Sequence, residues 1–146
     1  MGLENYKVEL HHLQMQVLQD MASVHCSFVM GKARVAPLKT VTIPRLELTA
    51  ALVSVNVSAF LQRELDYNDI TETFWSDSKI VLSYIANESL RFHVFVANRV
   101  QQIREHTDPS QWKYVKGEEN PADDASRGIS VTDFMNSKWL TGPEFL

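Results

Sequence analysis

In "ETFWSDSKIVLSYI", residues 72–85, an apolar stretch runs into Asp77, and a second apolar stretch follows with a different period. Glu47 stands between Leu46 and Leu48 in "IPRLELTAA", and Asp123 adjoins Asp124 in "NPADDASRG". Each acid has an ordinary structural use. Asp77 suits the N-cap of a following helix, where its oxygen accepts a free backbone N–H, although Ser76 and Ser78 suit that place too. Glu47 suits a first helical turn, where the helix dipole favours negative charge. Of Asp123 and Asp124, one suits a cap and the other the surface. The alternative use is chemical. Acids that converge at one edge of a sheet repel unless a cation neutralises them, and hard divalent ions with oxygen ligands do this. Mg2+ takes one or two carboxylates and keeps phosphate oxygens as further ligands. Two such ions about 3.5–4 Å apart activate water and stabilise the leaving oxygen in phosphodiester cleavage.

Other chemistries are less well supported by residue type and spacing. His11 and His12 are adjacent on a strand-like stretch and so face opposite sides, which makes no two-histidine metal site. Cys26 is the single cysteine; no internal disulfide and no Cys/His zinc spacing follow. Ser76 and Ser78 have no histidine base nearby in sequence, which argues against a serine hydrolase. Arg91, Asn98 and Arg99 fall on an amphipathic stretch and either track a phosphate backbone or form an exposed helix face.

The elements that must position these groups follow from periodicity. "YKVELHHL" alternates as a strand, "QMQVLQDMAS" has no clear period, and "VHCSFVMGKARVAPL" reads as two short strands around Gly31 and Lys32. Residues 42–65 predict the longest helix, with Thr42 at its cap, Pro44 in its first turn and Leu46, Val53, Val57 and Phe60 along one side. Its valines are weak helix formers, so packing must support it. "TETFW" predicts a strand, and "SKIVLSYIANE" a helix that buries Ile80, Leu82 and Tyr84. Residues 90–106 predict another helix, with Phe92, Phe95 or Val96, Arg99 and Ile103 on one face; "QWKYVKG" predicts a strand, and "ENPADDASRG" a turn with a short helix. Phe74, Trp75 and Trp112 read as core aromatics on strands. This order implies an α/β fold whose mixed central sheet begins antiparallel, continues with parallel strands and is flanked by helices. The expected organisation is one domain over residues 1–128, atypical over 1–23, and a tail or linker over 129–146.

Bulk composition agrees with a folded domain. The 146 residues are 45% hydrophobic and 22% charged, with five Gly and five Pro, enough to bury roughly two-thirds of the unfolded surface in one core. The most apolar window, "TAALVSVNVSAFL", falls short of the ~20 residues needed to span a bilayer, and "MGLENYKVEL" has no signal-peptide pattern. An intracellular location, cytoplasmic or nuclear, is the expectation. The net charge of −4 argues against tight nonspecific nucleic-acid binding. Charge is nevertheless segregated: Lys32, Arg34, Lys39 and Arg45 stand without an acid, Arg91 to Lys116 is mainly basic, and acids collect between Glu64 and Asp77 and between Glu118 and Asp124.

"IPRLELTAA", "FWSDSKIVLSYI", "RFHVFVANRVQQI" and "NPADDASRGIS", in this order and spacing, resemble the ribonuclease H domain of Bel/Pao-type LTR retrotransposon polyproteins, over roughly residues 24–146. The resemblance implies an RNase H-like fold and an acidic site that hydrolyses the RNA strand of an RNA/DNA hybrid with two Mg2+ or Mn2+ ions. It implies Glu47, Asp77 and Asp123 as the catalytic metal ligands, with Asp124 a weaker match than Asp123. It also implies reverse transcriptase and integrase regions as polyprotein neighbours; "KWLTGPEFL" resembles the lead toward the latter.

The departure lies at the start. In this family a "HH" pair continues into a turn carrying the first metal-binding aspartate, and here Met15 falls at that position. Asp20 is the nearest substitute, but its surroundings do not reproduce the motif. A thioether is a poor ligand for hard Mg2+. The expectation is therefore a degenerate or truncated domain that retains one ion or none and weak or no activity, and the rival reading is a catalytically inactive module that binds nucleic acid or a protein partner.

Overall fold

The computed structural model describes residues 8–20, 23–35, 41–66, 71–88, 91–123 and 129–144, with side chains of the first two strands described at residues 28–32. The chain divides into two compact units, residues 37–116 in one, residues 1–36 with 117–146 in the other.

The first unit is built on helix α1, Ile43–Leu65. Pro44 occupies its first turn, where a missing N–H breaks no hydrogen bond. The backbone carbonyl of Thr42 accepts from the N–H groups of Arg45 and Leu46 at 3.0 and 3.2 Å, while the Thr42 side chain makes no capping bond. Asp66 ends the helix in the left-handed region, at φ 53°, which a short polar side chain tolerates. Val53, Val55 and Val57 are all buried, so packing compensates their poor propensity as expected. The buried face includes Val53 and Val57 of the expected side but extends beyond it. Leu48, Ala51 and Val55 enter the core cluster, Leu46 is half-buried, and Phe60 is exposed with the Arg63 guanidinium 5.6 Å over its ring. Burial extends around most of α1, so no single seam stands out in its sequence.

Strand β3, Phe74–Ser76, leads into helix α2, Lys79–Ala86, and helix α3, Val94–His106, leads back to strand β4, Trp112–Tyr114. The two strands pair in parallel, Phe74 opposite Trp112 and Ser76 opposite Tyr114. Between α3 and β4 lies a 3-10 turn, Pro109–Gln111. Asp108 Oδ1 accepts from the Ser110 N–H at 2.8 Å, and Gln111 Oε1 accepts from the Asp108 N–H at 2.7 Å. Hydrogen bonds from Ser110 hold the Asp108 carboxyl below the usual aspartate range.

Val81 and Ile85 of α2 are buried; of the residues expected there, Leu82 and Tyr84 are half-buried and pack against the core, while Ile80 is exposed. Ile80, Val81 and Leu82 form an unbroken apolar run, and such a run leaves the helical phase free by one residue. Helix α3 begins at Val94 rather than residue 90, and its buried side is Val96, Val100 and Ile103. Phe74 and Trp112 stack at 4.7 Å and 16° in the same core. Trp112 Nε1 donates to Thr107 Oγ1 at 3.0 Å, and that hydroxyl donates to the Ile103 carbonyl at 2.8 Å.

The second unit contains strands β1, Val8–Asp20, and β2, Ser23–Val35. They pair antiparallel from Val8 opposite Val35 to Asp20 opposite Ser23. Two short strands around Gly31 and Lys32 were the expectation; instead these residues lie inside β2, opposite Leu13 and His12. The register shifts between Leu10 and His12, and again between Gln14 and Met15. Each shift inserts one extra residue, His11 on β1 and Val29 on β2, so the period-two pattern changes phase twice. "QMQVLQD" is strand although it shows no period in the sequence, and it lies beyond the extra residue of β1. The antiparallel start and the parallel pair are thus both present, as two two-stranded sheets rather than one mixed sheet among the described residues.

Residues expected as a tail form helices α4, Val131–Met135, and α5, Lys138–Thr141. Ser130 opens α4 with its Oγ, which accepts from the Asp133 N–H at 3.1 Å. Trp139 holds this region together. Its ring lies 5.4 Å from Phe28 of β2 and 6.3 Å from Phe134, and its Nε1 donates to the Pro121 carbonyl at 2.8 Å. Because Trp139 is only half-buried, Trp139→Ala is expected to cost about 2–3 kcal/mol, at or below the lower end for aromatic truncation. Amide hydrogen exchange at residues 28–32 should accelerate in that variant, and unchanged exchange there would refute the anchoring role.

Candidate active site

Glu47 lies one residue past the first turn of α1, and no acid occupies that turn. The dipole explanation for its charge therefore weakens, since the effect fades within the first turn. Its carboxylate has a specific partner instead. Ser78 Oγ donates to Glu47 Oε2 at 2.6 Å, bringing α1 to the start of α2. The same Oγ accepts from the Val81 N–H at 3.3 Å, so Ser78, not Asp77, is the N-cap of α2. Ser78 is buried, and its own N–H donates to Ser76 Oγ at 3.2 Å.

Asp77 occupies the bend between β3 and α2, at the carboxyl end of β3, where open α/β sheets place ligands. It is exposed, and its carboxylate has no hydrogen-bond or ion-pair partner among the described residues. The arrangement sets a free carboxylate next in sequence to the serine that fixes a second, half-buried one. Opposite Ser76 stands Tyr114, whose exposed ring carries the Lys79 Nζ 4.9 Å above its centroid.

The remaining candidates are placed as follows. Asp123 belongs to the other unit. Asn120 Oδ1 accepts from the Ala122 N–H at 3.2 Å and the Asn120 carbonyl from the Asp123 N–H at 3.0 Å, so Asn120 opens the turn that carries Asp123. Asp124 lies outside the described residues. Met15 and Asp20 lie on β1, opposite Phe28 and Ser23, with side chains outside the described set. Among the described residues, no three His, Cys, Asp or Glu are grouped as a metal cluster would require. Arg91 and Asn98 are exposed. Arg99 is not on an open face: its guanidinium lies 3.5 Å over the Phe95 ring, with Nε donating to Thr49 Oγ1 at 3.1 Å and Nη1 to the Phe95 carbonyl at 3.2 Å. Partial burial lowers its pKa from the usual arginine value.

Glu47 and Asp77 both fall within residues 11–78, the stretch that matches the family model described as the Pao retrotransposon-like RNaseH-like domain. This part of the chain is similar to that family. The Pao-like segment starts earlier than residue 24 and ends at Ser78, so it takes in β1 from His11 onward, β2, α1 and β3 and covers just under half of the chain. Met15 lies inside it, whereas "RFHVFVANRVQQI" and "NPADDASRGIS" lie beyond it. An RNase H-like fold is what the Pao-like segment implies, and the structure itself shows mixed helix and strand. No curated protein and no solved structure matches the chain. No helix among the described residues is long and apolar enough to cross a membrane.

Two features of the site escaped the sequence. Ser78 was weighed as a cap and, against, as a hydrolase nucleophile, and nothing in a lone serine announces a bond to a glutamate on another helix. Arg45 carried no signal beyond its charge, yet its guanidinium lies 5.1 Å from the Phe95 centroid.

Proposed function

We propose that this chain is a retrotransposon-derived RNase H-like domain in which Glu47 and Asp77 hold one Mg2+ or Mn2+ ion against a phosphodiester of an RNA/DNA hybrid. The reading is carried by the Ser78 to Glu47 hydrogen bond, which fixes one carboxylate beside the residue bearing the other. The donor set fits such an ion: hard oxygens, one carboxylate with Oε2 engaged by a hydroxyl and one without a partner among the described residues. A divalent cation held there supplies Lewis acidity toward a phosphate oxygen. The chain's own part is positional: Ser78 orients Glu47, and the bend after β3 presents Asp77 to solvent. Asp123 as a further ligand rests on the resemblance alone.

Met15 stands where the family's first aspartate is expected, and a thioether cannot replace a bridging carboxylate. Two-ion hydrolysis is accordingly impaired in this reading. Met15 also favours a second reading, an inactive module that binds nucleic acid or a protein partner. The similarity of the segment to that family supports a polyprotein setting, and the neighbouring reverse transcriptase and integrase regions rest on the resemblance alone.

The test is calorimetric titration with Mn2+ together with a labelled RNA/DNA hybrid. The wild-type chain should take up one ion and cleave slowly, and Asp77→Asn should lose both. Hybrid binding without ion uptake or cleavage would overturn this reading in favour of the inactive module.

A further inference from the structure

Lys79 opens α2 two residues after Asp77. The first turn of a helix is an unfavourable place for a cation, because the positive end of the helix dipole lies there. An ion pair with Asp77 would relieve this and is within reach: the two Cα atoms are at most about 7 Å apart, and a lysine carries its ammonium on a flexible four-carbon stem. The pair does not form. Both side chains are exposed, and neither has an ion-pair or hydrogen-bond partner among the described residues. The Lys79 ammonium lies instead 4.9 Å from the centroid of the Tyr114 ring. Parallel pairing sets Tyr114 opposite Ser76, the residue before Asp77, so the ring stands at the end of the sheet from which Asp77 emerges. Trp112, two residues earlier, is buried, whereas Tyr114 is exposed and offers its ring face to Lys79. An exposed cation–π contact and an exposed ion pair are of similar strength. The position of Lys79 is therefore a balance between ring and carboxylate, and the ring decides it.

We propose that Tyr114 is a positioning residue for the ion site: its ring holds Lys79 away from Asp77 and so keeps that carboxylate open to a divalent cation. The proposal rests on the ion-binding reading above, and it gives Tyr114 no contact with the ion or with nucleic acid. Without the ring the ammonium settles on Asp77, occupies its oxygens and places a like charge beside an incoming cation. The two carboxylates are thus prepared by different means. Ser78 bonds Glu47 directly, whereas Tyr114 removes a competitor from Asp77.

Two readouts check this, one of them without metal. In metal-free buffer the Lys79 side-chain methylene protons, followed by NMR, should resonate upfield of those of the other lysines because of the Tyr114 ring current. Tyr114→Leu should abolish that upfield shift and make the same resonances respond to Asp77→Asn, which leaves them unmoved while the ring is present. In calorimetric titration, Mn2+ affinity should be about threefold lower in Tyr114→Leu, unchanged in Tyr114→Phe and restored when Lys79→Met is combined with Tyr114→Leu. Equal loss of affinity in Tyr114→Leu and in the combined variant would assign the ring to support of the strand pair alone and overturn the proposal. So would Lys79 resonances that ignore Asp77→Asn in the Tyr114→Leu protein. Absence of Mn2+ uptake from every protein, wild type included, with the NMR response intact, would overturn the ion site and leave the hold of Tyr114 on Lys79 standing.

Discussion

Removing the Ser78 hydroxyl is expected to weaken Mn2+ binding at Glu47 and Asp77 by about 10- to 100-fold, the usual consequence of deleting a group that orients a metal ligand. The side chain has two jobs, donating to Glu47 Oε2 at 2.6 Å and accepting from the Val81 N–H, so one substitution cannot separate them. Ser78→Ala removes both and should cost about 1 kcal/mol through the lost cap. Ser78→Gly removes the same hydroxyl, but glycine at an N-cap costs only a few tenths of a kcal/mol. The two variants should therefore differ in melting temperature and agree in ion affinity. Affinity that follows melting temperature instead would assign Ser78 to helix capping alone.

The largest loss of stability is expected from Trp112→Ala. Trp112 is buried, stacks on Phe74 and donates its indole N–H to Thr107. Truncating a buried aromatic costs about 3–5 kcal/mol, set against roughly 5–15 kcal/mol for a whole domain. The loss falls on a parallel pair of three-residue strands. Trp112→Phe keeps the stack and most of the apolar area, losing chiefly the hydrogen bond, worth about 1 kcal/mol. Urea unfolding of the three proteins checks this, and a cost below about 1 kcal/mol for the alanine variant would show that the strand pair does not depend on the ring.

The acids at the site were legible because they stand out from their neighbours. Glu47 between two leucines and Asp77 between two apolar runs each demand a reason, and periodicity was enough to put both near helix starts. The partners were not legible, because they are made by tertiary contact. Arg99 carried the right charge but the wrong setting: its spacing placed it on an amphipathic helix, and only the packing of α3 on α1 shows it held by Thr49 and Phe95. The same holds for fold. α1 was visible from Pro44 and its length, β3 and β4 from their aromatics. α2 was found with Leu82 and Tyr84 against the core, but its fully buried residues Val81 and Ile85 were missed, because three consecutive apolar residues do not fix a phase. The long strands β1 and β2 were read as shorter pieces, because a strand interrupted by extra residues no longer alternates.

Those two extra residues behave like paired insertions in a reading frame. His11 shifts β1 by one place against β2, and Val29 shifts β2 by one place in return, so pairing before the first and after the second keeps the same frame. Between them lie only His12 to Gln14 and their partners Met30 to Lys32. Loss of one extra residue alone would put the remainder of the ladder out of frame and exchange its two faces, whereas loss of both together would leave a shorter hairpin in frame.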